Sequence, residues 1–235
     1  MLRKVSPIAL LLVCALSACG GGGGDTATPA PAPTPTPTPA PTPTPTPAPT
    51  PTPPPPATIP PLAQPPMDIS GETTTIGTSH WTPSPSAGQG APVDGIPCGS
   101  PVETFHIHSH VTVALNGQLL EVPGQIGILP TTATSGGCTY QIHTHDGSGS
   151  LHIETPAPAN YTLGNFFHIW GEPLAADNVA GITGQPIVIY VTESDGTTTI
   201  YQGDPNAIVL AAHRLITFQI GTPLTQIPNF TWSPN

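Results

Sequence analysis

Thr104-Phe-His-Ile-His-Ser-His-Val-Thr-Val-Ala-Leu115, then Asn116-Gly117, then Gln118-Leu-Leu-Glu-Val122 is the stretch on which the fold turns. Side chains alternate faces along a strand, so His106, His108 and His110 share one side. Asn and Gly both tolerate the positive φ of a type I′ turn, which predicts a hairpin closed at 116–117. A second hairpin is predicted from strands over 138–145 and 150–155, flanking Asp146-Gly-Ser-Gly149. Further strands are expected over 185–192, 197–202 and 208–220, with a turn at Ser194-Asp-Gly196. The segment 161–171 breaks the two-residue period. There Thr162 is placed to cap a short helix running to Trp170, and Gly171 to end it. The expected fold is all-β, a β-sandwich or open barrel, with one short helix.

Towards the N-terminus the composition changes. Arg3 and Lys4 precede an apolar run over 5–16. This is the pattern of a secretory signal peptide, assigned to 1–18. The run falls short of the roughly 20 apolar residues that a membrane-spanning helix needs. Leu16-Ser-Ala-Cys19 resembles the lipobox of bacterial lipoproteins. The resemblance implies that Cys19 carries lipid, palmitate-like acyl chains, as the first mature residue. Gly20 in place of an aspartate implies an outer-membrane destination, with the domain facing the periplasm or the cell surface. Residues 19–66 read as a linker. After Gly20–Gly24, Pro alternates with Thr or Ala from Pro29 to Pro56. Such a tract cannot bury a core and is expected to be a disordered stalk. In polyproline II form, at about 3.1 Å per residue, about 40 residues reach on the order of 120 Å. The folding unit is then 67–235, enough for one core. Its first part, 67–95, is poor in apolar residues and is expected to wrap the surface before the core begins near Cys98.

The chain holds four cysteines. Cys14 lies in the signal and Cys19 in the lipobox, which leaves Cys98 and Cys138 as a disulfide pair in an oxidising compartment. A thiolate copper site would also want an axial Met, and Met67 is the single methionine after the signal. After removal of 1–18, Arg214 alone stands against all 13 acidic residues, a net charge of −12 with His neutral. So acidic a chain repels phosphate backbones, which excludes nucleic acid as a partner and makes anionic membrane surfaces poor ones.

Six of the nine histidines fall in two clusters, His106/His108/His110 and His143/His145/His152. Neutral imidazole is the commonest ligand for copper, zinc, iron and nickel. With the turn over 146–149, His143 is expected opposite His152 on the neighbouring strand, so that three imidazoles reach one ion. A slip of one residue would turn His152 away. Glu154 shares the His152 face and is read as a fourth ligand or as an acceptor for the far N–H of a ligand imidazole. Asp146 is placed for the second of these roles. His110 is either a ligand or a hydrogen-bonded strand residue. His80, His168 and His213 are read as structural.

These motifs, with Gly124-x-Ile-Gly127, His143-Thr-His-Asp-x-Ser-Gly-x-x-His152-Ile-Glu and Tyr161-Thr-Leu-Gly-x-Phe-Phe-x-x-Trp-Gly171, resemble an uncharacterised family of exported bacterial and archaeal proteins. The resemblance covers roughly 105–220. It implies a small β domain with a shared site, and it carries no activity with it.

The expected function is binding of a transition metal, copper or zinc, by a lipid-anchored β domain. Methionines for copper(I) and closely spaced carboxylates for calcium are missing. Two alternatives stand beside it. One is a zinc or copper metalloenzyme, in which three His ligands leave a position open and Glu154 or Asp146 serves as base. The other is a metal-free stalked binding domain with a pH-sensitive His patch.

Overall fold

A computed structural model describes residues 58–71, 73–82, 86–132 and 136–232. The signal, Cys19 and the Pro/Thr tract up to residue 57 lie outside the described residues. The rest is mostly β, with one short α-helix, as the alternation predicts. Its frame is a seven-stranded sheet. In spatial order its strands are Thr198–Tyr201, Ile187–Thr192, Leu215–Ile220, Phe105–Leu115, Ser150–Thr155 and Ile142–His143, and Gln118–Leu120 also pairs with Phe105–Leu115. The 11-residue strand Phe105–Leu115 is central. It runs parallel to Leu215–Ile220 and antiparallel to Ser150–Thr155 and Gln118–Leu120.

The predicted turns are present. Asn116 and Gly117 have φ of 51° and 80° and close the first hairpin. Thr162 caps the helix Leu163–Trp170 by accepting from the Asn165 N–H, and Gly171 ends it in the left-handed region. The expected strand over 208–220 begins only at Leu215. Before it, Asp204 caps a turn of 3-10 helix at Pro205–Ala207, and His213 takes a φ of 59° that a strand does not accommodate.

The two faces of the sheet differ. On one face Val111, Val113, Leu151, Ile153, Ile216 and Phe218 pack against Phe166, Phe167 and Trp170 of the helix in the main core. The other face carries His106, His108 and His110. Its His110 end is covered by a smaller cluster of Ile69, Ile76, Leu215 and Phe230. That cover is made where Met67–Asp68 pairs in parallel with Phe230–Thr231. The segment 67–95 therefore does more than wrap the surface: it supplies Ile69 and Ile76 to this cluster, and Trp81 to the main core, where the Trp81 ring meets Trp170 edge-on at 5.1 Å. Cys98 and Cys138 form the expected disulfide, with Cα atoms 5.4 Å apart, between strands of a separate three-stranded sheet.

Candidate metal centre

Beyond the reach of the Phe230 cover, the second face of the sheet is a lattice of imidazoles. His108 pairs with His152 across one strand boundary, and His152 with His143 across the next. His106 pairs with Glu154 one step along. The register that sets His143 opposite His152 is therefore the one expected from the turn. Gly149 holds that register. Its φ is 88°, its carbonyl accepts from Val111 N–H at 2.9 Å, and a Cβ there would lie 2.2 Å from the Val111 oxygen. Only glycine fits such a contact.

The ring nitrogens converge. His152 Nδ1 lies 3.2 Å from His106 Nε2 and 3.1 Å from His108 Nε2. His143 Nε2 lies 3.1 Å from His145 Nε2. Glu154 Oε1 stands 3.6 Å from the Nε2 of both His106 and His143, and 3.8 Å from His152 Nδ1. Two sets of ligand atoms each fall within 4.8 Å of one another: His143, His145, His152 and Glu154 in one, His106, His108 and His152 in the other. Nitrogens bound to one tetrahedral ion at about 2.0–2.1 Å sit about 3.3 Å apart. The nitrogen contacts of 3.1–3.2 Å are close to that spacing, and these residues could hold a metal ion. His143 Nδ1 bonds the Tyr140 carbonyl at 2.9 Å, which puts its proton there and leaves the Nε2 lone pair facing the centre.

Burial tunes the same groups. His143 is 1% exposed in its side chain and Glu154 7%, whereas His106 is 28% exposed and forms the open rim. Burial holds His143 down to about 4, helped by the charge His145 would carry. It holds His152 down to about 2, helped by His108, His145, His143 and His106. Both rings are therefore neutral at pH 7, the form that binds metal. With a divalent cation bound, Glu154 would supply the negative charge that such a buried ion needs.

Two expectations change here. His110 does not join its neighbours. It is buried beneath the terminal cover, with its ring stacked 3.8 Å from Phe230, and it belongs to neither set. Its Nε2 has no hydrogen-bond partner, and burial lowers its pKa to about 3. Asp146 does not turn to an imidazole. Its carboxylate accepts from Ser148 N–H and Oγ and from Thr74 N–H, which shapes the turn after His145. Of the two roles expected of Glu154, its position among the ligand atoms matches the first, that of a fourth ligand. His80, His168 and His213 lie outside both sets: His80 meets Trp81 edge-on, His168 pairs with Asp94 at 2.6 Å, and His213 stacks on Trp232 at 4.9 Å. Trp232, which also stacks on His108 at 6.3 Å, has no signal in the sequence near either cluster.

No family model, curated protein or solved structure matches the chain.

Proposed function

We propose that the chain is an outer-membrane-anchored lipoprotein whose β domain binds a transition metal, copper or zinc, through its clustered histidines. One observation carries the metal reading. His143, His145, His152 and Glu154, from two neighbouring strands and the turn between them, bring their ligand atoms within 4.8 Å. Imidazole with one carboxylate suits copper(II) and zinc. The anchoring half rests on the lipobox-like Leu16-Ser-Ala-Cys19 and the Pro/Thr tract behind it. The resemblance to exported β domains sharing the His motifs agrees with it.

The test is elemental analysis of the chain purified from membranes without a His-tag. Bound copper or zinc, diminished by the His143→Ala/His145→Ala pair and untouched by His80→Ala, supports the reading. No metal even after reconstitution refutes it and leaves the metal-free binding domain. Release of the chain from the membrane by Cys19→Ser tests the anchor.

One feature favours a metalloenzyme as second reading. A pocket of about 180 Å³, walled by Gly99, Ser100, Thr139, Tyr140 and Gln141, has Glu154 in its lining. A small ligand there would meet the carboxylate side of the centre. Ester hydrolysis at background rate by the metal-loaded chain would count against this reading.

A further inference from the structure

We infer that the centre takes two metal ions per chain, one over each groove between its three strands. The inference rests on the metal-binding reading above and goes beyond it in stoichiometry.

Neighbouring strands lie about 4.7–4.9 Å apart, so the backbones of His108 and His143, on either side of His152, are separated by about 10 Å. Side chains projecting from so wide a base do not all meet at one point. The ligand atoms accordingly fall into two sets, one over the groove between the His108 and His152 strands and one over the groove between the His152 and His143 strands. An ion with bonds of about 2.0–2.2 Å spans at most about 4.4 Å from ligand to ligand. A single ion over the second groove would leave His106 and His108 outside its shell, although both nitrogens are already gathered at 3.1–3.2 Å around His152 Nδ1.

Glu154 joins the two halves. Its Oε1 is equidistant, at 3.6 Å, from His106 Nε2 in one set and His143 Nε2 in the other. A carboxylate so placed bridges two ions at the separation of about 3.5–4 Å found in two-metal sites. His152 belongs to both sets; with two ions its Nδ1 would complete the three-imidazole set with His106 and His108, which leaves His143, His145 and Glu154 to the other ion. Two divalent ions repel, and one carboxylate offsets one charge. Binding is therefore stepwise: the first ion goes tightly to the carboxylate-bearing groove, and the second more weakly to the three-imidazole groove, whose rim at His106 is open to solvent.

The test is a titration of the chelator-stripped full chain with Cu(II), and separately with Zn(II), read by calorimetry and by elemental analysis after desalting. Two equivalents with distinct affinities are expected. His106→Ala/His108→Ala should keep the tight equivalent and lose the weak one. His143→Ala/His145→Ala should lose the tight one and keep one equivalent on the other set. As a second readout, addition of the second equivalent of Cu(II) should diminish the electron paramagnetic signal of the first, because neighbouring copper(II) ions couple. A single equivalent in the unmodified chain overturns the inference and leaves the metal-binding reading standing, whereas zero equivalents sink both. Loss of the second equivalent in His80→Ala/His168→Ala/His213→Ala would place it on the surface and also overturn the inference.

Discussion

Acidifying the metal-free chain from about pH 7.5 to about pH 5 should cost it a large part of its stability, and His110 isolates one share of that loss. His110 is fully buried against Phe230, and burial lowers its pKa from 6.5 to about 3. The folded state therefore keeps the ring neutral at pH 5, while the unfolded chain protonates it below 6.5. The unfolded state binds more protons, so stability is complete above 6.5 and falls as the pH drops towards the folded value. At pH 5, about 1.5 pH units below the unfolded pKa, the loss is about 2 kcal/mol for this one group. His143 and His152, lowered to about 4 and about 2, act in the same direction. A protein stabilised by about 5–15 kcal/mol feels such a sum. The assay is urea unfolding at both pH values, followed by the fluorescence of the core residues Trp81 and Trp170. His110→Leu keeps the apolar contact with Phe230 and removes the titrating ring. The unmodified chain should lose about 2 kcal/mol more than this variant between the two pH values. Equal losses would refute the account of His110 as a ring held neutral by its cover.

Other outcomes follow from the same contacts. Zn(II) at about 100 times its dissociation constant should raise the unfolding free energy by about 2.7 kcal/mol for one site, with a matching rise in melting temperature, and His143→Ala/His145→Ala should erase most of that gain. Replacing both Cys98 and Cys138 by Ser opens a link across 40 residues and should lower stability by about 4 kcal/mol in denaturant titrations under oxidising conditions. Gly149→Ala must move either the turn or the central strand, since its Cβ meets the Val111 oxygen. It should cost more than about 1 kcal/mol and weaken metal binding by displacing His152 from its register, both read in one titration series.

Much of this was legible along the chain because the signals were local. Asn116-Gly117, Thr162 with Gly171, and the turn over 146–149 each act within a few residues, and together they predict the hairpins, the helix and the facing of His143 to His152. What the sequence did not show depends on partners far away in the chain. His110 has the same alternation as His106 and His108, and only the arrival of Phe230 over it separates a packed ring from a ligand. The parallel pairing of Leu215–Ile220 with Phe105–Leu115 joins segments about a hundred residues apart, with no motif to announce it. The segment 67–95 looks too polar for a core role because its large apolar residues are widely spaced, yet three of them, Ile69, Ile76 and Trp81, are buried.

The parallel clasp of Met67–Asp68 with Phe230–Thr231 also has a bearing on assembly. A chain made from its N-terminus holds Met67 and Asp68 without a strand partner until more than 160 further residues exist. The three strands that carry the His lattice, drawn from 105–155, are complete in sequence long before that. A nascent chain therefore has its metal-binding groups ready while His110 is still open to water, and the clasp shuts afterwards. Pairing across so long a separation carries a loop-closure cost that the hairpin pairs of the His lattice do not, so protection of His110 is expected to follow formation of the lattice.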